Sequence, residues 1–96
     1  MPYFMLRATD KPGTGDLRLE TRPVHLDYLN SLPDVFRMAG ALLAEDGQTV
    51  VGSLMIIEAD DLDSARAYVE GDPFAQAGIF ATTEILPWRL AIGKPA

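Results

Sequence analysis

The chain contains a single histidine, His25. Imidazole is the side chain whose unperturbed pKa lets it gain or lose a proton near neutrality, so His25 is the first candidate for acid–base chemistry. The competing reading is a helix-face histidine that is merely solvated or packed. Asp72, just before Pro73, is the candidate partner: a carboxylate that orients an imidazole and stabilises its charged form is the third group of triad logic. An aspartate in that position also caps a helix by accepting backbone N–H groups, and two carboxylate oxygens leave room for both roles. Gly52-Ser53 interrupts an apolar run with a missing side chain and then a hydroxyl, a pair that can open a pocket and place one polar group in it. Arg22, three residues before His25, offers a guanidinium for an anionic substrate, with a plain surface arginine as the alternative.

Other chemistries are disfavoured. The chain has no cysteine, which removes disulfides, thiolate catalysis and sulfur-ligated metal clusters. One histidine gives no metal-ligand spacing, and Gly13 and Gly15 match no phosphate or dinucleotide loop, so neither a metal nor a cofactor is expected. No G-x-S-x-G elbow surrounds Ser53. Glu58, Asp60, Asp61 and Asp63 are read as a solvated helix start. A net charge of −6, with eight scattered Lys and Arg, opposes nucleic-acid binding. No signal-peptide pattern or membrane-length apolar run occurs, and the expectation is a cytoplasmic protein without membrane contact.

The elements that must position these side chains follow from periodicity. Pro2 to Thr9 reads as a strand with large side chains in both alternation sets, which predicts burial on both faces. Asp10 to Asp16 is turn chemistry. A helix follows, with a loose lead-in over Leu17 to Glu20 and regular turns from Arg22, because Pro23 is harmless only in a first turn; Pro33 stops it. Its apolar positions Val24, Tyr28 and Leu32 form one strip and His25 and Leu29 the adjacent one. Val35 to Glu45 is a strand with a small-residue centre at Ala39, Gly40 and Ala41; Asp46-Gly47 turns it into the strand Thr49 to Ala59. Asp60 to Gly71 is a capped helix with Leu62, Ala65 and Val69 on one stripe. Asp72 to Ala77 is a short turn of helix, Ile79 to Trp88 a last strand, and Arg89 to Ala96 a tail able to add an edge.

Ninety-six residues make one domain, 1–96, and by surface scaling it keeps about 5,400 Å² of an unfolded surface near 15,000 Å². The order β, α, β, β, α, β predicts an α+β, ferredoxin-like architecture: a four-stranded antiparallel sheet with both helices on one face. The other face is then bare, and with Phe4, Met5, Met55 and Ile56 apolar on both sides of the sheet it calls for a second copy on a two-fold axis. A homodimer, with room for a higher oligomer, is the expectation.

Arg22-Pro23-Val24-His25-Leu26, Ala39-Gly40, Gly52-Ser53, Asp72-Pro73-Phe74, Ala77-Gly78 and Pro87-Trp88 occur in the order and spacing of the YciI-like (YCII-related) family, which the chain resembles over nearly its whole length. The resemblance implies a ferredoxin-like fold, dimerisation through the sheets into a shared α+β barrel, and an active site centred on His25 and Asp72. It also implies links to aromatic degradation, since some members are dehydrochlorinases or lyases. One departure is Ala41, where the family commonly has proline, which bears on the local pocket shape.

The functional expectation is cofactor-free proton transfer: His25 as base, Asp72 orienting its ring, and Ser53 or Arg22 contacting a small cyclic or aromatic ligand that undergoes elimination or isomerisation. The alternative is a non-catalytic dimeric module that binds a small ligand in the same cleft.

Overall fold

A computed structural model describes residues 2–94. The elements are β1 (Tyr3–Asp10), α1 (Gly15–Asn30), β2 (Phe36–Leu43), β3 (Val50–Glu58), α2 (Leu62–Glu70), α3 (Pro73–Gln76) and β4 (Phe80–Trp88). The strands form one antiparallel sheet in the order β2-β3-β1-β4, with the helices on one face, which is the ferredoxin-like arrangement. Residues 89–94 add no strand; Pro95 and Ala96 lie outside the described residues.

Alternation decides which side chains meet the helices. Phe4, Leu6 and Ala8 of β1 pair with Ile57, Met55 and Ser53 of β3, and all six are buried. With Phe36, Leu29, Ala65 and Val69 the apolar members of this set build the core. The opposite set is not sealed: Arg7 and Thr9 of β1 are exposed and Met5 only half-buried, so the expected two-sided burial of this strand is corrected to one-sided burial in the single chain. Ile56 is the exception on the open face, buried because it sits between Met5 and Met38 on the flanking strands. The described residues expose 6076 Å², more than the roughly 5,400 Å² expected for the mass of the chain.

Helix α1 corrects the expected start. It begins at Gly15 rather than near Arg22, so Pro23 lies inside it. The missing Pro23 N–H leaves the Leu19 carbonyl unpaired, and this is tolerated because Leu19 is largely exposed and water can take that carbonyl. The early turns are tied down by Arg18, whose guanidinium reaches across to β1 and β3. The face turned inward is the His25 and Leu29 strip, while Val24 is 57 % exposed.

Helix α2 is capped by Asp61, which accepts from the Ser64 N–H at 2.8 Å, and it buries Ala65 and Val69 as its stripe predicts. Its end at Gly71 abuts α1: a Cβ on Gly71 would come 2.5 Å from the Tyr28 hydroxyl, which donates to the Tyr68 carbonyl. No described helix is long and apolar enough to cross a membrane.

Candidate acid–base site

Two elements with no sequence proximity meet at the site. His25 faces inward from α1, and Asp72 stands at the N-cap of α3. The His25 Nδ1 lies 2.7 Å from Asp72 Oδ1, with both residues buried and Asp72 at 0 % exposure. A carboxylate can only accept, so the shared proton sits on Nδ1, and in the neutral ring the lone pair is then on Nε2. Asp72 Oδ1 also accepts the Phe74 N–H at 3.0 Å. Capping and imidazole binding do coexist, but on one oxygen rather than one on each; Oδ2 is buried with no partner among the described residues.

Phe74 holds the face of the same imidazole. The two rings stack with centroids 3.7 Å apart and planes 8° from parallel. The Arg18 guanidinium carbon lies 4.4 Å from the Phe74 centroid. Since the imidazole already covers one face of Phe74, the guanidinium takes the other, and the order is Arg18, Phe74, His25.

Arg18 is anchored by charge and by backbone. Its Nη1 donates to Asp10 Oδ1 and Oδ2 at 3.2 and 3.1 Å, and its Nη2 to the Gly52 carbonyl at 3.1 Å and to Ser53 Oγ at 2.7 Å. Burial pushes the Asp10 carboxyl above its ordinary range, with the Arg18 charge acting against the shift. Burial likewise lowers Arg18, opposed by Asp10 and then Asp72. The Tyr28 hydroxyl is raised by burial first and by the Asp72 charge second.

A cavity of about 500 Å³ opens between α1 and the β2–β3 half of the sheet. His25, Arg18, Arg22 and Ser53 supply its polar wall; Leu26, Leu29, Met55 and Phe74 are among its apolar lining. The small residues that make the space are Ala39 and Ala41, which flank Met55 and Ser53 in register. The expectation that Gly52 opens the pocket is corrected. Gly52 lacks a side chain because a Cβ would overlap the Ala8 carbonyl oxygen, and its contribution to the site is the carbonyl that Arg18 binds.

The structure therefore brings His25, Asp72, Ser53 and Arg22 to one region, His25 and Asp72 in contact and Ser53 and Arg22 on the cavity wall. Arg22 is exposed and forms no ion pair among the described residues. Arg18 and Phe74 are site residues that the sequence does not single out, Phe74 standing there only as part of the Asp72-Pro73-Phe74 motif. Arg18 precedes His25 by seven residues, two helical turns, and shares its face, a signal hidden by starting the helix at Arg22. Among the described residues, no three His, Asp or Glu are grouped as a metal site requires.

A family model for the YCII-related domain matches residues 1–89. Protein YciI of Escherichia coli O6:H1 is 31% identical over 93 residues, covering 90% of this chain and 95% of that protein. An uncharacterised protein of Haemophilus influenzae is 30% identical over 94 residues, covering 91% and 96%. Among solved structures, the 5-chloro-2-hydroxyhydroquinone dehydrochlorinase TftG of Burkholderia phenoliruptrix AC1100, in complex with 2,5-dihydroxybenzoquinone, superposes with a TM-score of 0.83 at 32% identity, covering 93% of this chain and 95% of that one.

Proposed function

The chain belongs to the YCII-related family, and on that footing we propose that it is a cofactor-free acid–base enzyme that eliminates from, or isomerises, a small cyclic or aromatic compound. The observation that carries the reading is the buried 2.7 Å contact between Asp72 Oδ1 and Nδ1 of His25, a residue that lines the cavity. With Nδ1–H held by Asp72, the Nε2 lone pair accepts a proton from a substrate carbon or hydroxyl. The electron pair released forms a new double bond. In an elimination a chloride departs with its bonding pair, and the proton passes from His25 to water, so that HCl is lost overall. In an isomerisation His25 returns the proton to a different carbon. Asp72 accepts the Nδ1–H throughout and stabilises the imidazolium formed between the two proton transfers. The likeness to a dehydrochlorinase at 32% identity supports the elimination arm.

The test is chloride release from 5-chloro-2-hydroxyhydroquinone and a panel of halogenated ring compounds, comparing wild type with His25→Ala. Loss of about 10²- to 10⁴-fold with unchanged circular dichroism is expected. Equal turnover in the variant would remove His25 as base, and a ligand bound but recovered intact would make the protein a binding module.

We propose that the open sheet face pairs with a second copy. Met38, Leu54 and Leu86 lie on it at 44, 37 and 47 % exposure, around the buried Ile56. Apolar exposure across the middle of a sheet fits an isologous two-fold contact. Sedimentation velocity is expected to give the mass of a dimer for the wild type and of a monomer for Leu54→Lys; a monomeric wild type overturns the pairing.

A further inference from the structure

We propose that Ser53 donates the hydrogen bond that stabilises negative charge on a substrate oxygen, and that Arg18 fixes it in that role. The cavity then selects compounds bearing an ionisable ring hydroxyl or an enolisable carbonyl. This rests on His25 acting as the base and adds the group that receives the charge its action creates.

The hydroxyl of Ser53 has one proton and two lone pairs. Arg18 Nη2, which can only donate, occupies a lone pair at 2.7 Å. The Ser53 proton therefore points away from the guanidinium, and no protein acceptor takes it among the described residues. Nothing across the sheet covers it either: the residues paired with Ser53 are Ala8 on β1 and Ala41 on β2, both alanine. Ser53 is a lining residue of the cavity and only 2 % exposed, so a bond that its O–H gives to a ligand there is shielded from water. The adjoining cation polarises that O–H and strengthens the bond it gives.

Arg18 itself is committed to the protein, through Asp10, the Gly52 carbonyl, Ser53 and the face of Phe74. It acts on the ligand through Ser53 and is a positioning residue. Because His25 covers the other face of Phe74, base and donor are set by one stack of three planar groups. Taking a proton from a ring hydroxyl, or from carbon beside a carbonyl, drives the electron pair toward oxygen. A donor already aimed at that oxygen stabilises the product of proton removal more than the neutral ligand.

The experiment uses 4-nitrophenol, whose anion absorbs in the visible, bound to the full-length protein and titrated with pH. Wild type is expected to lower the apparent pKa of the bound phenol by about one unit or more, as a charge-assisted hydrogen bond implies. Ser53→Ala and Arg18→Lys are expected to lose most of that shift, Ser53→Thr to keep it, and His25→Gln to keep it in large part. Arg18→Lys retains the charge beside Asp10, so it separates the loss of Ser53 positioning from loss of fold. Retention of the shift in both Ser53→Ala and Arg18→Lys overturns the proposal, as does failure of the wild type to bind the phenol at millimolar concentration. A shift that vanishes in His25→Gln yet survives in Ser53→Ala assigns the anion to proton transfer onto His25, which sinks the Ser53 role while leaving the base intact. Conversely, a Ser53-dependent shift alongside full turnover in His25→Ala removes the base and keeps the donor.

Discussion

Phe74 stacks on His25 at 3.7 Å, and it stands two residues after the aspartate that binds the edge of the same ring. One tripeptide, Asp72-Pro73-Phe74, thus fixes the imidazole in two perpendicular directions. The N-cap geometry makes this possible: Asp72 is extended at φ −66 and ψ 127, Pro73 starts α3, and the Phe74 N–H returns to the Asp72 carboxylate. Anything that disturbs this single turn moves both restraints on the ring together.

The face restraint is separable from the edge restraint by substitution at Phe74, which is 2 % exposed in the core. Phe74→Ala is expected to cost about 3–5 kcal/mol by opening a cavity. Phe74→Leu keeps much of the volume and is expected to cost about 1–2 kcal/mol, while losing the stack. Chemical denaturation measures the first quantity and turnover the second. Wild-type turnover in Phe74→Leu would show that the edge contact alone positions His25.

Asp72 can be divided into its two roles. Asn is as good an N-cap as Asp, so Asp72→Asn is expected to hold α3 in place, whereas Asp72→Ala forfeits the cap at about 1 kcal/mol. Because Oδ1 takes both the Phe74 N–H and the imidazole, an Asn that keeps the cap holds its carbonyl oxygen there and accepts from Nδ1–H without the negative charge that stabilises the imidazolium. Activity is then expected to fall on the order of 10³- to 10⁴-fold in Asp72→Asn with little change in melting temperature. Long-range nitrogen–proton NMR of His25 reads the tautomer directly. Finding Nε2–H in the wild type would contradict the proposed base.

The hairpin that carries Thr49 and Val50 to the cavity rim is held by Asp46. Its carboxylate accepts from the backbone N–H of Gln48 and of Thr49, both at 2.9 Å, and from the Thr49 hydroxyl at 2.6 Å. These bonds favour the charged form and hold its pKa down at about 2, the Thr49 hydroxyl contributing most. A depressed carboxylate contributes stability that is complete above its unfolded value, near 3.9, and lost as pH falls through about 2. The Asp46 carbonyl-carbon resonance is expected to titrate with a midpoint near 2. The stability difference between wild type and Asp46→Ala should shrink over the same range, and a midpoint near 4 would mean the turn bonds are absent in solution.

The elements and the pairing of the strands were legible because alternation, capping and turn residues all agree along this chain. Asp61, Gly71 and Asp46-Gly47 are local signals that stand where they were expected. What could not be read was the start of α1. Pro23 suits a first turn on local grounds, whereas the cost of placing it mid-helix is met by an exposed Leu19 carbonyl and by Arg18 contacts to β1 and β3 that only the tertiary fold supplies. The same non-local contacts explain why His25, Asp72, Ser53 and Arg22 are nameable one by one from their residue types, while the parts of Arg18 at Ser53 and of Phe74 at His25 exist only once segments 35 or more residues apart are folded together.

Ala41 is one of the small residues that leave the cavity open along β2. It sits on β2 at the sheet edge, in register with Ser53, and its methyl group lines the cavity where the family resemblance leads one to expect proline. Because the residue is exposed, enlarging it fills ligand space without compressing the core. Ala41→Leu is expected to leave the melting temperature nearly unchanged while weakening binding of 2,5-dihydroxybenzoquinone at least tenfold, since a leucine side chain occupies volume that a six-membered ring would need. Isothermal titration measures the binding and scanning calorimetry the fold. The paired control is Ala91→Leu, an exposed alanine beyond β4 that is not part of the cavity wall and is expected to leave binding unchanged. Undiminished binding in Ala41→Leu would move the ligand away from the β2–β3 wall, and with it away from Ser53. Loss confined to Ala41→Leu ties the space made by this alanine to the polar groups that face it.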